Sequence, residues 1–245
     1  MTIPARLWVE NHRGRRVPAV LGLGLVAGGS MVLALIGVES TDWLRWSGCV
    51  LVAAAGLVDD LASDGPRGLR GHLSALAGGR ATTGAVKIVV IVAAAIVVVA
   101  SSERGSAADR IASVVLIAAM ANVVNGLDVR PGRALKGFLV SGVILLAIQG
   151  MALAPTTAAL LPLALASVII DLRERAMLGD AGANLLGFAL GLGIWGATAD
   201  QWVWLAAAAA VALNVIAETV TFSRAIAAVP PLRWLDSLGR RPDRA

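Results

Sequence analysis

The chain has no tyrosine, three phenylalanines, two histidines and a single cysteine among its 245 residues. One cysteine, Cys49, excludes an internal disulfide framework and a cysteine-based zinc site. The histidines, His12 and His72, are far apart in sequence and lack the spacing of metal ligands. Charge is scarce as well. Only 15% of the residues are charged and 58% are hydrophobic, against about 25% and roughly 45–50% in an ordinary soluble domain. With a mean hydropathy of +0.79, a soluble globular enzyme is excluded. The net charge of +5 does not indicate a nucleic-acid binder, because the basic residues are scattered between apolar runs rather than gathered in one patch. The apolar runs recur along the whole chain and the first follows four arginines, which argues against a secretory signal peptide.

What is present in abundance is membrane-length apolar sequence. A membrane-crossing helix needs roughly 20 mostly apolar residues. Eight stretches qualify, at about 17–38, 43–59, 84–101, 110–127, 134–153, 156–171, 183–199 and 202–222. The predicted fold class is therefore all-α, a polytopic integral membrane protein with 1–222 as the transmembrane domain and 223–245 as a basic amphipathic tail. The stretch at 156–171 is the weakest of the eight, being short and interrupted by Pro162. Pro18 and Pro155 fall at helix starts, where a missing N–H costs nothing. Placing the N-terminus inside puts 18 of the 21 lysines and arginines on the inner side and leaves Arg45, Arg104 and Arg110 outside. Retention of positive charge then predicts that both termini are cytoplasmic, in a plasma (inner) membrane. Trp43, Trp46, Trp202 and Trp204 flank spans, as an interfacial belt requires. The tail after Pro231 is predicted to lie as a helix on the membrane surface, drawn to anionic headgroups.

The same orientation gathers Asp59, Asp60, Asp64, Asp128, Asp171, Glu174 and Asp180 at the inner ends of spans. A transporter tends to carry ionisable groups near the bilayer midplane, yet the run "IVVIVAAAIVVVA" at 88–100 has none. Chemistry at one surface is the better reading. Within "GLVDDLASDG", adjacent carboxylates repel unless a cation sits between them. Mg²⁺ is the natural cation, taking one or two carboxylates and leaving its other positions to water and phosphate. Because successive helical residues point about 100° apart, one of Asp59 and Asp60 can meet metal while the other meets substrate. The plainer reading is two solvated acids at a helix end.

Three further segments carry polar groups next to spans. In "ANVVNGLDVRPGRALKG", Asn122, Asn125 and Asp128 recur every third residue and line one side of a helix. Arg130, Arg133 and Lys136 follow as phosphate-binding candidates, arginine binding in bidentate fashion. Interhelical hydrogen bonds and topology charges are the alternative. In "MLGDAGANLLGFALG", Asp180 opens an apolar helix whose free N–H groups favour an anion. Asp180 is either a plain N-cap or a second metal ligand beside a phosphate pocket, and Asn184 is polar glue or a pocket residue. In "LNVIAETVTFSR", Asn214 and Glu218 share a helical face, and an ion pair with an arginine is the expected role of the glutamate.

In this order, the motifs resemble those of the polyprenyl-phosphate N-acetylhexosamine-1-phosphate transferases, the family of phospho-N-acetylmuramoyl-pentapeptide transferase. "GLVDDL" is similar to its aspartate pair, "NVVNGLD" to its N-x-x-N-x-x-D segment, "MLGDAGANLLG" to its F-M-G-D-x-G-S-x-x-L-G helix start, and "AETVTF" to its V-E-T-L-S helix. The opening "RRVPAVLGLG" is similar to its T-P-x-M-G-G segment and places Arg16 among the substrate-binding candidates. The likeness covers about residues 11–222. It implies a transfer of sugar-1-phosphate from a UDP-sugar to a polyprenyl phosphate such as undecaprenyl or decaprenyl phosphate, on the cytoplasmic face, for envelope polymer assembly. It also implies Mg²⁺ at Asp180 with Asp59 or Asp60 assisting, a nucleotide-sugar pocket built from Asn122, Asn125 and Asp128, and a homodimer. Two departures stand beside it. Pro131 replaces the second aspartate of the family's D-G-x-D, and no histidine-rich loop follows "AETVTFSR". A relative that binds polyprenyl phosphate or scaffolds other enzymes without turnover would show the same departures.

Overall fold

A computed structural model describes residues 3–62 and 82–240. Asp64, His72 and the arginines between them and position 80, like those at 241 and 244, lie outside the described residues. The described chain is almost entirely helical. A short antiparallel hairpin comes first, β1 (Trp8–Glu10) paired with β2 (Arg16–Pro18). Eight long helices follow: α1 (Leu21–Ile36), α2 (Ser40–Ala62), α3 (Thr83–Ala100), α4 (Ala107–Leu127), α5 (Arg133–Gln149), α6 (Pro155–Leu172), α7 (Gly179–Ala197) and α8 (Val203–Thr219). Two short ones, α9 (Phe222–Ala228) and α10 (Pro230–Ser237), complete the helices longer than one turn among the described residues.

Each long helix sits on one of the eight apolar stretches. Among the described residues four segments are long and apolar enough to cross a membrane: α3, α4, α6, and α8 with its leading turn from Asp200. The outer surface agrees with a bilayer environment, since Leu35 is 77% exposed, Ile148 68% and Leu205 65%. Side chains of this kind are costly to present to water over a contiguous area. Helix α6 runs unbroken through Pro162, so the proline that weakened this stretch on paper costs one backbone hydrogen bond without ending the helix. Pro155 does stand at a helix start. Pro18 does not: it closes β2, and α1 begins at Leu21. Trp46, expected at an interface, is 3% exposed and donates its indole N–H to Ser30 Oγ at 2.9 Å.

Helix α7 is the centre of the bundle, with every residue from Ala181 to Gly193 buried. It packs on α4 and α2 above all, and also on α1, α5 and α6. Small residues make such close packing of apolar helices feasible where no hydrophobic effect separates them from lipid. Gly56 is one such case: a Cβ at that position would lie 2.5 Å from the Asp180 carbonyl oxygen. Glycine therefore allows the last turns of α2 to rest directly on the first turn of α7. The chain entering α1 is tied to the chain entering α7 as well. Met177 donates its N–H to Pro18 O (2.8 Å), and Leu21 donates to Met177 O (3.1 Å).

Candidate functional site

The alternating helices bring the ends of α2, α4, α6 and α8 and the starts of α3, α5 and α7 to one end of the bundle. Asp59 and Asp60, in the last turns of α2, serve different neighbours there, as a rotation of about 100° per residue requires. Asp59 accepts from Thr83 Oγ1 at 2.5 Å and from Lys87 Nζ at 2.6 Å. Lys87 Nζ also pairs with Asp180 Oδ2. Its ammonium, 9% exposed by side chain, is thus the cation between two carboxylates, the condition under which a buried charge is tolerated.

Asp60 turns instead to the start of α7. Its Oδ1 accepts from the Asp180 N–H at 3.0 Å and its Oδ2 from the Ala181 N–H at 3.2 Å. The cap position of α7 is Leu178, which offers no side-chain oxygen. The free N–H groups and positive dipole end of α7 are therefore met by a carboxylate from another helix. Gly179 makes the approach feasible. Its φ is +70°, a conformation other residues avoid, and a Cβ there would come within 2.9 Å of Asp60 Oδ2. The anion position expected at this helix start is occupied by the protein's own Asp60, and Asp180 is neither cap nor capped side chain but a partner of Lys87.

Two cavities are each linked to the Gly179–Asp180 turn by one side chain, the first by Lys87, which pairs with Asp180, and the second by Asp128, which accepts from the Gly179 amide. The first, of about 340 Å³, lies between α3, α4 and α8. Its walls are apolar (Ile88, Ile91, Val92, Val211), with Lys87, Asn122 and Asn214 among its polar groups. The second, of about 350 Å³, is polar and is lined by His12, Asp128, Arg130, Asp171 and Glu174 among others. The Asn122–Asn125–Asp128 stripe links the two. Asn122 donates to Asn214 Oδ1 at 2.5 Å, and Asn214 donates back to Ala119 O at 3.0 Å, bridging α4 and α8. Asn125 Oδ1 is buried with no hydrogen-bond partner, an arrangement native structures rarely leave without a ligand or water. Asp128 ends the stripe at the polar cavity. Burial pushes its carboxyl well above the usual carboxylate range, and Asp171, Asp180 and Asp60 push the same way, against a hydrogen bond from the Gly179 amide.

The remaining candidates lie elsewhere. Arg133 is 5% exposed and faces away from the polar cavity: its Nε and Nη2 donate to Asp236 at 2.8 and 3.0 Å and its Nη1 to Ser223 Oγ at 2.9 Å. Lys136 donates to the carbonyls of Leu235 and Asp236 at 2.8 and 2.6 Å. Both hold the C-terminal helices, so of the three basic residues only Arg130 lines the polar cavity. Asn184 is buried and donates to its own helix at Asp180 O, 2.7 Å. Arg16 sits on the exposed hairpin and donates to Trp8 O at 3.3 Å. Glu174, with φ of +54°, anchors that hairpin by accepting from Asn11 Nδ2 and pairing with Arg13, each at 3.1 Å.

Sequence reasoning passed over Lys87 and Thr83. Lys87 counts in the sequence as one more inner-side charge, although it is one of only two lysines and lies inside an apolar span. As to metal, Asp59 and Asp180 converge from two helices, which is the carboxylate number Mg²⁺ uses when water and phosphate complete its shell. Among the described residues no three His, Cys, Asp or Glu side chains come together as a metal-holding group. The pair supplies two carboxylates and no protein cage, and the Lys87 ammonium already stands between them. Compared with family models, curated proteins and solved structures, the chain matches none.

Proposed function

We propose that the protein is a membrane phosphotransferase that moves a sugar-1-phosphate from a UDP-sugar to a polyprenyl phosphate at the end of the bundle where these carboxylates gather. One observation supports the reading: an apolar groove lined by Lys87 and a polar cavity lined by Asp128 are both tied to a single turn, Gly179–Asp180, through the Lys87–Asp180 pair and the hydrogen bond from the Gly179 amide to Asp128. A lipid with one phosphate and a water-soluble nucleotide sugar need two such compartments and one shared reacting point. Phosphoryl transfer requires positioning and charge neutralisation more than covalent chemistry.

In this reading the apolar groove takes the proximal isoprenoid chain, and Lys87 and Asn122 face the lipid phosphate. The polar cavity takes the nucleotide sugar, with Asp128 and Asn125 accepting hydrogen bonds from its hydroxyl and N–H groups and Arg130 meeting its diphosphate. An oxygen of the lipid phosphate forms a bond to the β-phosphorus, the bond from that phosphorus to the bridging oxygen breaks, and UMP leaves. Mg²⁺, held by Asp59 and Asp180, would supply charge neutralisation on the diphosphate. Asp60 keeps the start of α7 in place, and so the position of Asp180. The active face is cytoplasmic, by the distribution of lysine and arginine. A homodimer and a role in envelope polymer assembly follow from the resemblance alone.

The test is purified protein with Mg²⁺, undecaprenyl or decaprenyl phosphate and a panel of UDP-sugars, followed by UMP release. Release that needs both lipid and metal, and falls by about 10²–10³ or more in Asp180→Asn, supports the transferase. A second reading is a lipid-phosphate-binding relative without turnover. The Lys87 ammonium seated between Asp59 and Asp180 favours it, and it predicts tight lipid phosphate binding with no UMP from any donor.

A further inference from the structure

The C-terminal helices carry a surface that the transferase reading does not use. Between Phe222 and Arg240 there is one acid, Asp236, and it is turned inward. It accepts from Arg133 by two atoms and from Arg240 Nη1 at 2.8 Å. Burial opposes its charge, but the hydrogen bonds and charge of Arg133, with Arg240 and Lys136, hold the carboxyl below the usual carboxylate range. The exposed surface of α10 carries no acid. Leu232 is 46% exposed, Trp234 64% and Leu238 40%, and Arg233 and, on α9, Arg224 are exposed with them. A large indole beside leucines and arginines, without an acid, is complementary to a negatively charged headgroup layer.

The inward side has a mechanical consequence. Arg133 is the first residue of α5, directly after the Val129–Gly132 turn, and Val129, Arg130 and Pro131 of that turn wall the polar cavity. Lys136 holds the last carbonyls of α10 from the same face of α5. A displacement of α10 is therefore transmitted to the cavity wall through two cations. We infer that α10 is a latch seated on an anionic lipid surface through Trp234, Leu238 and Arg233, and that its seating fixes the Val129–Gly132 turn. The anchor is lipid headgroup chemistry and not a second copy of the chain. The inference stands apart from the transferase reading, since it concerns the order of the turn and not turnover.

The full chain in nanodiscs of phosphatidylcholine, with or without phosphatidylglycerol, tests it. The part of the fluorescence that Trp234→Phe removes should be quenched by brominated lipid far more when phosphatidylglycerol is present, and high salt should weaken the effect. Amide exchange at 129–133 should slow severalfold under the same conditions. Arg233→Gln, which removes a charge without adding an acid beside Asp236, should weaken both responses while leaving exchange within α7 unchanged. Trp234 that is equally unquenched in both lipids, or shielded from brominated lipid and aqueous quencher alike as under a second copy, would overturn the inference. So would exchange at 129–133 that ignores lipid charge while Trp234 responds to it.

Discussion

The two ends of the bundle solve the same problem, a cation between helix termini, in opposite ways. At the end away from the acids, Arg104 donates to Trp195 O (3.0 Å), Thr198 O (2.7 Å) and Asp200 Oδ1 (2.8 Å) and lies over the Trp195 ring at 5.3 Å. Its acceptors are chiefly neutral, one carboxylate balances its charge, and about two-fifths of the pair is exposed. At the other end a single ammonium, Lys87, answers two carboxylates directly, and a third, Asp60, lies against the adjacent backbone. The first arrangement is finished, while the second carries an excess of negative charge beside two cavities. Structural ends are built to be neutral, and an end kept electrostatically incomplete invites a charged visitor.

Removing the cation at each end is the strongest way to break that comparison. Lys87→Met leaves Asp59 and Asp180 facing each other without compensation, and a loss of about 3–5 kcal/mol is expected, as for other buried pairs with one partner deleted. Arg104→Met should cost no more than about 1–2 kcal/mol, because its acceptors turn to water. Denaturation of the two variants in one detergent reads the difference, and equal losses would mean that the ends are not distinct. Gly56→Ala comes next. It forces α2 off the first turn of α7, and about 1–3 kcal/mol is expected for such overpacking, with faster amide exchange at Asp180 and Ala181 as the specific signature.

The pH predictions are smaller. With its folded carboxyl well above the usual range, Asp128 contributes stability that is complete below about pH 4 and is lost as pH rises through the folded value. Asp128→Asn lacks this loss, so its melting temperature relative to the parent should rise with pH above about 4. A difference that is flat with pH would show that the carboxyl is already ionised without cost. Asp236 works in the other direction, its carboxyl being held low. Its hold on α10 should persist at all pH values above about 4 and fail only as pH falls through the lower folded value. Proteolysis of the tail at graded acid pH would show this.

Much of this was legible in the chain. Among the described residues each of the eight long helices follows an apolar stretch, four of them long and apolar enough to cross a membrane, and in apolar surroundings a helix pairs every backbone N–H and C=O group within its own segment. The split of Asp59 from Asp60 follows from helical rotation alone. What could not be read is where each side faces. Arg130, Arg133 and Lys136 look alike in sequence, yet the turn directs Arg130 to a cavity. Positions 133 and 136, three apart on α5, both face the tail. Lys87 matches a topology charge until α7 brings Asp180 to it across 93 residues. The hairpin escaped notice because three-residue strands carry no usable alternation. Its turn is held by Asn11, whose Oδ1 accepts from the amides of Arg13 and Arg15.

The cap that Asp60 places on α7 also orders events in time. The two are 120 residues apart, and at about 5–20 residues per second of synthesis the carboxylate waits roughly 6–24 s for the amides it will hold. The helix it waits for is the most buried of the bundle, so α1, α2 and α4 are already made when their common neighbour emerges. The early helices must keep a vacant slot for a latecomer. Until residue 181 is made, the Asp60 carboxylate lacks both amides that it accepts from in the finished bundle.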